Sequence, residues 1–210
     1  MVEEEKLPTW EYLSDSSGLG GAIKESVDDF KVEEVADHEV NGGDHLILKL
    51  TKHNMTTLEA IREISNILHI SRNRFGYAGN KDKKAITTQY ISIKDIDESQ
   101  AENIFVPGIE VEIVGKNGHI AVGQLDKNKF EIVVRDIAFP EDETSTRINK
   151  IWEELDGIMP NYFGRQRFGS VRPITHLVGK EILKENFGKA VWTYIAKPYE
   201  AEHNKIKKVR

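Results

Sequence analysis

Apolar residues recur at period two along several short stretches of this chain, and at helical spacing along others. In DHLILKLTK (Asp44 to Lys52), Leu46, Leu48 and Leu50 fall on one face, which predicts a strand. Thr56-Thr57-Leu58-Glu59 then reads as a capping box, with Thr56 as the cap and Glu59 reaching back. Leu58, Ile61, Ile64 and Leu68 mark one face of the helix that follows. AITTQYISIKD is rich in β-branched residues and predicts the next strand. IEVEIVG alternates Ile109, Val111 and Ile113 with Glu110 and Glu112, and Asn117-Gly118 predicts a tight hairpin turn. HIAVGQL and KFEIVVRDI read as two further strands. A helix is predicted from about Thr144 to Leu155, with Ile148, Ile151, Trp152 and Leu155 on one side and Gly157 ending it. Upstream, Phe30, Val32 and Glu33 lie in a short extended piece, and residues 1–20 read as a tail or loop ending in GLGG.

The order β, α, several β, α predicts an α+β fold with a largely antiparallel sheet and helices on one face. After Gly169 the texture changes. Two short helices are expected near 175–185 and 188–196, before the basic tail HNKIKKVR. A boundary near 170 follows, and no internal repeat is present.

With 210 residues the chain can bury a core as one large or two small domains. It has no cysteine, which excludes disulfides, thiol catalysis and thiolate metal ligands, and fits a reducing cytoplasm. No apolar run approaches the roughly 18 residues of a membrane span. The acidic start MVEEEKLPTW lacks the apolar stretch of a secretory signal. The seven histidines are scattered, so no metal is expected. A net charge of −6 argues against a uniformly basic nucleic-acid coat, though not against a local basic channel. Basic residues do cluster, as Arg72, Arg74, Lys81, Lys83 and Lys84 and again as Arg165, Arg167 and Arg172.

Three nucleotide motifs fail. Gly18 to Ile23 begins like GxGxxG but lacks the last glycine and follows no strand. There is no GxxxxGK[ST] loop, since Gly179-Lys180 is followed by Glu181. In Asn80-Lys81-Asp82 the aspartate comes one residue too early for NKxD. What survives is Asp82 itself, in a Gly-Asn-Lys-Asp turn at the mouth of a strand. Lys81 and Lys83 beside it should favour its ionised form. A charged carboxylate there can be a nucleophile or a base. The same pattern also suits an aspartate that accepts turn N–H groups, with its lysines in solvent.

Gly79-Asn80-Lys81-Asp82-Lys83-Lys84-Ala85-Ile86-Thr87-Thr88-Gln89 resembles the G-x-K-D-x-x-A-x-T-x-Q signature of the TruD family of tRNA pseudouridine synthases. Ile23-Lys24 followed by Asp29-Phe30-Lys31-Val32-Glu33 resembles the family's K…DF-x-V-x-E. Asn128-Lys129-Phe130 resembles its N-x-F, and Pro160 to Gly169 its P-N-Y-F-G-x-Q-R-F-G. The four motifs stand in the family's order across residues 23–169.

The resemblance implies isomerisation of a uridine in tRNA, typically at position 13, to pseudouridine without a cofactor. It implies Asp82 as the catalytic nucleophile. Phe30, Asn128 and Phe130 match substrate-pocket positions. Lys24 also matches a family position, from which it would hold a phosphate or pair with Asp82. Lys81, Arg165 and Arg167 are expected to draw in phosphates, and Glu33 to act as a structural acceptor. A flipped uridine would stack on an aromatic ring. The family's proteins are longer. Residues 1–170 would be the first, ferredoxin-like half of the catalytic domain, and 171–210 the start of an inserted domain. A second chain or a further C-terminal segment would complete the cleft. Two other readings stay open: a non-catalytic RNA-binding fragment, and a nucleoside hydrolase that would need a second carboxylate such as Glu33.

Overall fold

The computed structural model describes residues 12–38, 40–162, 165–169 and 172–199. In chain order the strands are β1 (Ala22–Ile23), β2 (Phe30–Val35), β3 (His45–His53), β4 (Phe75–Tyr77), β5 (Ile86–Lys94), β6 (Ile109–Asn117), β7 (Lys127–Ile132) and β8 (Val134–Arg135). The helices are α1 (Thr57–Leu68), α2 (Glu98–Ala101), α3 (Glu141–Leu155), α4 (Thr175–Leu183) and α5 (Phe187–Ala196), with short 3-10 turns at Arg72–Arg74 and Arg165–Phe168.

The alternating stretches pair into one sheet in the order β6-β3-β5-β2-β7. Every adjacent pair is antiparallel except β2 and β5, which run parallel. The fold is therefore α+β with a largely antiparallel sheet. Alternation along β3 turns Leu46, Leu48 and Leu50 to one face, where they bury against Ala60, Ile61 and Ile64 of α1 and Ala101 of α2. Ile47 points the other way and packs with Ala78 and Ile120.

One edge of β5 is shared. β2 pairs with Ile86 to Thr88, and β4 pairs with Ile91 to Ile93. Tyr90 falls between the two partners, and its N–H donates to the side chain of Glu34 at 3.3 Å. A buried carboxylate thus fills a break in the backbone ladder.

The capping box of α1 forms as the sequence predicts. Thr56 Oγ1 accepts from Glu59 N–H at 3.1 Å, and Glu59 Oε2 accepts from Thr56 N–H at 2.7 Å. The buried stripe is Thr57, Ala60, Ile61 and Ile64. Leu58, expected on the core face, is 57% exposed, because it lies about 100° around the helix from Thr57.

Other expectations are corrected. HIAVGQL is a loop, not a strand. Its apolar residues Ile120 and Leu125 plug the sheet face around Ile47, and Gly123 N–H donates to Ala78 O at 2.7 Å. This loop crosses β4 so closely that a Cβ on Gly76 would stand 2.5 Å from His119 and from Ile120 O. Asn117-Gly118 consequently turns no hairpin, and β6 pairs with β3 instead. α3 begins at Glu141, directly after Pro140.

Ser16–Lys150 forms one compact unit, and Met1–Asp15 with Ile151–Arg210 a second. Within the second, α4 and α5 pack together, and the buried Glu181 takes Lys189 (3.1 Å) and Asn186 (3.2 Å). Arg172, counted above in a basic cluster, donates to the carbonyls of Tyr194 and Lys197 at 2.9 Å and so closes the end of α5. The N-terminal segment through residue 11, Phe163, Gly164 and the tail HNKIKKVR lie outside the described residues.

Candidate active site

Helices α1 and α2 cover the β6-β3-β5 part of one sheet face. On that same face, register places Val32 opposite Phe130, Glu34 opposite Asn128 and Phe30 opposite Ile132. The turn that carries Asp82 lies over this part. Val32, Asn80, Lys81, Asp82, Asn128 and Phe130 line a cavity of about 180 Å³ there.

Lys24 reaches the site by a local device. β1 pairs with β8 just beyond β7, and Gly21 permits the approach: its φ is 97°, and a Cβ there would sit 2.7 Å from Val134 and 2.8 Å from Arg135 O. The chain then turns at Lys24, whose φ of 60° is unusual for a bulky residue. Its ammonium stands 3.3 Å from Asp82 Oδ1 and 3.8 Å from the centre of the Phe30 ring. The loop after it is held by Asp29, which is buried. Asp29 accepts a two-pronged hydrogen bond from Arg135 (2.9 and 2.6 Å) and one from Ser26 N–H (2.9 Å). The Arg135 guanidinium, then the Ser26 N–H, hold its carboxyl far below the usual range.

Phe30 is a core residue at the floor of the site, edge-on to Phe130 with centroids 6.1 Å apart. Phe130 itself is 55% exposed and presents a ring to solvent. Asn128 accepts a hydrogen bond from Lys81 through its side-chain oxygen.

The lysines flanking Asp82 do not serve it, contrary to the sequence expectation. Lys81 turns to Glu34 at 2.9 Å, a pair almost wholly buried, and to Asn128. Lys83 turns to Glu59 of the capping box at 2.9 Å. That leaves Lys24, far upstream, as the cation beside Asp82. Arg74 is also spent locally, on the carbonyls of Lys94 and Asp95. Arg167, in the turn Arg165–Phe168 of the second unit, is exposed, and the side chain of Arg165 is outside the described residues.

Glu33 is a structural acceptor, as expected, taking a hydrogen bond from Lys49 Nζ at 3.0 Å. It does so on the opposite side of the sheet, and so is not the second carboxylate that a hydrolase would need. The glutamate of this motif that turns to the site's face is Glu34, buried behind the cavity against Lys81, and the pattern DF-x-V-x-E closes on it when counted from Asp29. Sequence reading missed Glu34, Asp29 and Arg135, although that count and the period of β2 point to the first. A larger depression, about 310 Å³, lies around Glu33, Lys49, Glu110 and Glu112. It is a mixed-charge sheet surface without an aromatic wall, whereas the smaller cavity has Phe130, so the smaller cavity is the better site.

Asp82 is the sole carboxylate among the described residues lining the smaller cavity, and its side chain is 37% exposed. Its backbone is tied down on three sides. Gln89 Nε2 donates to Gly79 O (3.2 Å), Lys81 N–H to Thr57 Oγ1 (2.9 Å), and Lys52 Nζ to Asp82 O (2.8 Å). A fixed, reachable carboxylate beside a cation and an open aromatic ring suits chemistry on a planar base. Among the described residues no group of His, Asp and Glu is placed to hold a metal ion, and no helix is long and apolar enough to cross a membrane.

The family model for tRNA pseudouridine synthase D (TruD) matches residues 7–210. The chain belongs to the tRNA pseudouridine synthase D family. Proteins described as "probable tRNA pseudouridine synthase D" include relatives from Methanosarcina mazei (43% identical, 95% of this chain, 46% of the relative) and Archaeoglobus fulgidus (41%, 99% and 50%). A crystal structure of the TruD protein from Methanosarcina mazei matches with a TM-score of 0.81 and 42% identity, over 94% of this chain and 46% of that one. The chain spans about half the length of the TruD relatives it matches.

Proposed function

We propose that this chain carries the reacting half of a tRNA pseudouridine synthase that isomerises one uridine, typically position 13, with Asp82 as the nucleophile. The observation that carries the reading is the cavity lined by the Asp82 carboxylate and the open Phe130 ring, with the Lys24 ammonium 3.3 Å from that carboxylate. The uridine leaves its stack, and the cost of a few kcal/mol is partly offset by stacking on Phe130, worth about 1–3 kcal/mol. Asp82 attacks the nucleoside, at the sugar C1′ or the base C6, and the bond it forms is released once the new glycosidic bond is made. The C1′–N1 bond breaks, the uracil rotates, and a C1′–C5 bond forms. C5 gives up a proton and N1 gains one, so the reaction needs no cofactor and no net redox change. Lys24 holds Asp82 in place and meets a neighbouring phosphate; Asn128 orients the base; Lys81 braces Asn128. Arg165 and Arg167 grip the RNA backbone. A tRNA substrate and a cysteine-free chain fit a cytoplasmic setting.

β7 is paired on one side only among the described residues, and Phe130 and Ile132 on it are exposed. A further segment of a longer protein, or a second chain, completes the catalytic domain against this edge.

The test is incubation with unmodified tRNA, mapping pseudouridine by carbodiimide labelling and primer extension. It is run on the chain alone and on the chain fused to the unmatched half of the Methanosarcina mazei relative. An Asp82-dependent stop at one uridine, abolished by Asp82→Asn, is the expected result. Salt-sensitive tRNA binding with no stop in either form would favour a non-catalytic RNA-binding module. Release of free uracil would favour hydrolysis, for which the cavity offers no second carboxylate.

A further inference from the structure

Lys52 occupies a place in β3 where alternation calls for an apolar side chain, on the face of Leu46, Leu48 and Leu50. It is wholly buried. Its ammonium donates to Met55 O at 2.6 Å and to Asp82 O at 2.8 Å, and among the described residues no carboxylate lies within ion-pair distance. Burying an ammonium on carbonyls is costly, and a methionine of similar length would fill the same slot without that charge, though it would leave the Met55 and Asp82 carbonyls without this donor. Packing alone therefore gives no reason for a lysine here. The placement of Asp82 does. Of the three bonds that tie down this turn, only the one from Lys52 falls on Asp82 itself.

We propose that Lys52 is a positioning residue: by binding the main-chain carbonyl of Asp82, its buried ammonium fixes the reacting carboxylate opposite Lys24. This rests on the reading of Asp82 as the nucleophile. The charged groups that face Lys52 are Asp82 and Glu59, which favour its ammonium, and Lys81, which disfavours it. Burial outweighs them and draws its pKa down to about 8. The site therefore loses this charge at mildly alkaline pH.

The chain has no cysteine, which allows a clean restoration of the amine. Lys52→Met should fold and lose about 10- to 100-fold in kcat with KM changed less than about threefold, as expected of a displaced reacting group. Lys52→Cys, alkylated with 2-bromoethylamine while unfolded and then refolded, should recover most of that kcat. The same variant alkylated with iodoethane, which adds the length without the amine, should not. Wild-type kcat in Lys52→Met, a loss confined to KM, or equal recovery with both reagents would overturn the proposal.

Amide hydrogen exchange at Lys81 to Lys83 gives a readout that needs no turnover. Exchange there should speed up about tenfold or more in Lys52→Met relative to the rest of the sheet. Unchanged exchange overturns the proposal even if the protein makes no pseudouridine. Pseudouridine that forms without Asp82 refutes the functional reading instead. Should Lys52→Met fail to fold, the two alkylated forms of Lys52→Cys decide the matter by the same exchange.

Discussion

The Lys24 ammonium stands 3.3 Å from Asp82 Oδ1 while the Lys24 backbone sits at a φ of 60°. A strained residue that carries the cation beside Asp82 lets stability and activity be separated. Lys24→Gly relieves strain of about 1 kcal/mol. It gives up a half-exposed ion pair worth at most about 1 kcal/mol and a cation–π contact of about 0.5–1 kcal/mol. Net stability should stay within about 1 kcal/mol of wild type by urea titration. Pseudouridine formation should nonetheless fall about a hundredfold. A large loss of stability with activity intact per folded molecule would assign Lys24 to the scaffold.

Glu33 and Glu34 are neighbours in sequence with opposite fates. The Glu34–Lys81 pair is buried, with side chains 0% and 8% exposed, whereas Lys49–Glu33 is open to water. Removing one partner of a buried pair leaves an uncompensated charge and costs about 3–5 kcal/mol. Glu34→Gln should therefore lower the urea midpoint sharply. The double variant Glu34→Gln/Lys81→Met should recover much of the loss, and Glu33→Gln should change stability by no more than about 1 kcal/mol. Equal effects of the two single variants would contradict the assignment of faces.

Much of this was legible beforehand because its causes are local. Period-two alternation marks β3 and β6, and β-branched content marks β5, within a few residues, and the α1 capping box is a four-residue signal. The loop 119–125 was illegible because Ile120 and Leu125 serve a neighbouring face rather than a strand ladder. Asp82 stood out through its motif, and the family pattern already offered Lys24 as a residue that would hold a phosphate or pair with it. Adjacency alone pointed to Lys81 and Lys83; the pairing of β1 with β8 is what brings Lys24 to the turn. Lys52 gave no signal, since a lysine ending a strand ordinarily reaches water.

Asp29 should govern part of the acid limb of stability. Its carboxyl is held far below the usual range chiefly by hydrogen bonds from Arg135. A group whose pKa is lowered by folding contributes stability that is complete above the unfolded value, near 4, and is lost as pH falls through the folded value. Asp29→Asn should thus destabilise the chain at pH 7, and the gap from wild type should narrow steadily below pH 4. Urea midpoints between pH 2 and 7 check this. A gap that is constant with pH would mean that Asp29 acts by shape alone.

Thr57 joins the helix to the turn that carries Asp82 through one hydroxyl. Its Oγ1 donates to Gln89 Oε1 at 2.8 Å and accepts from Lys81 N–H at 2.9 Å, all within a buried environment. Thr57→Val keeps the shape but strands an N–H and an amide oxygen, each costing about 1–3 kcal/mol when buried. Thr57→Ser keeps the hydroxyl and should cost only the methyl group, about 1 kcal/mol. The valine variant should therefore be the less stable of the two despite its better fit to an apolar core. It should also show faster amide exchange at Lys81 than the serine variant. If the two variants rank the other way, packing of the γ-methyl, not the hydroxyl, is what holds the Asp82 turn against α1.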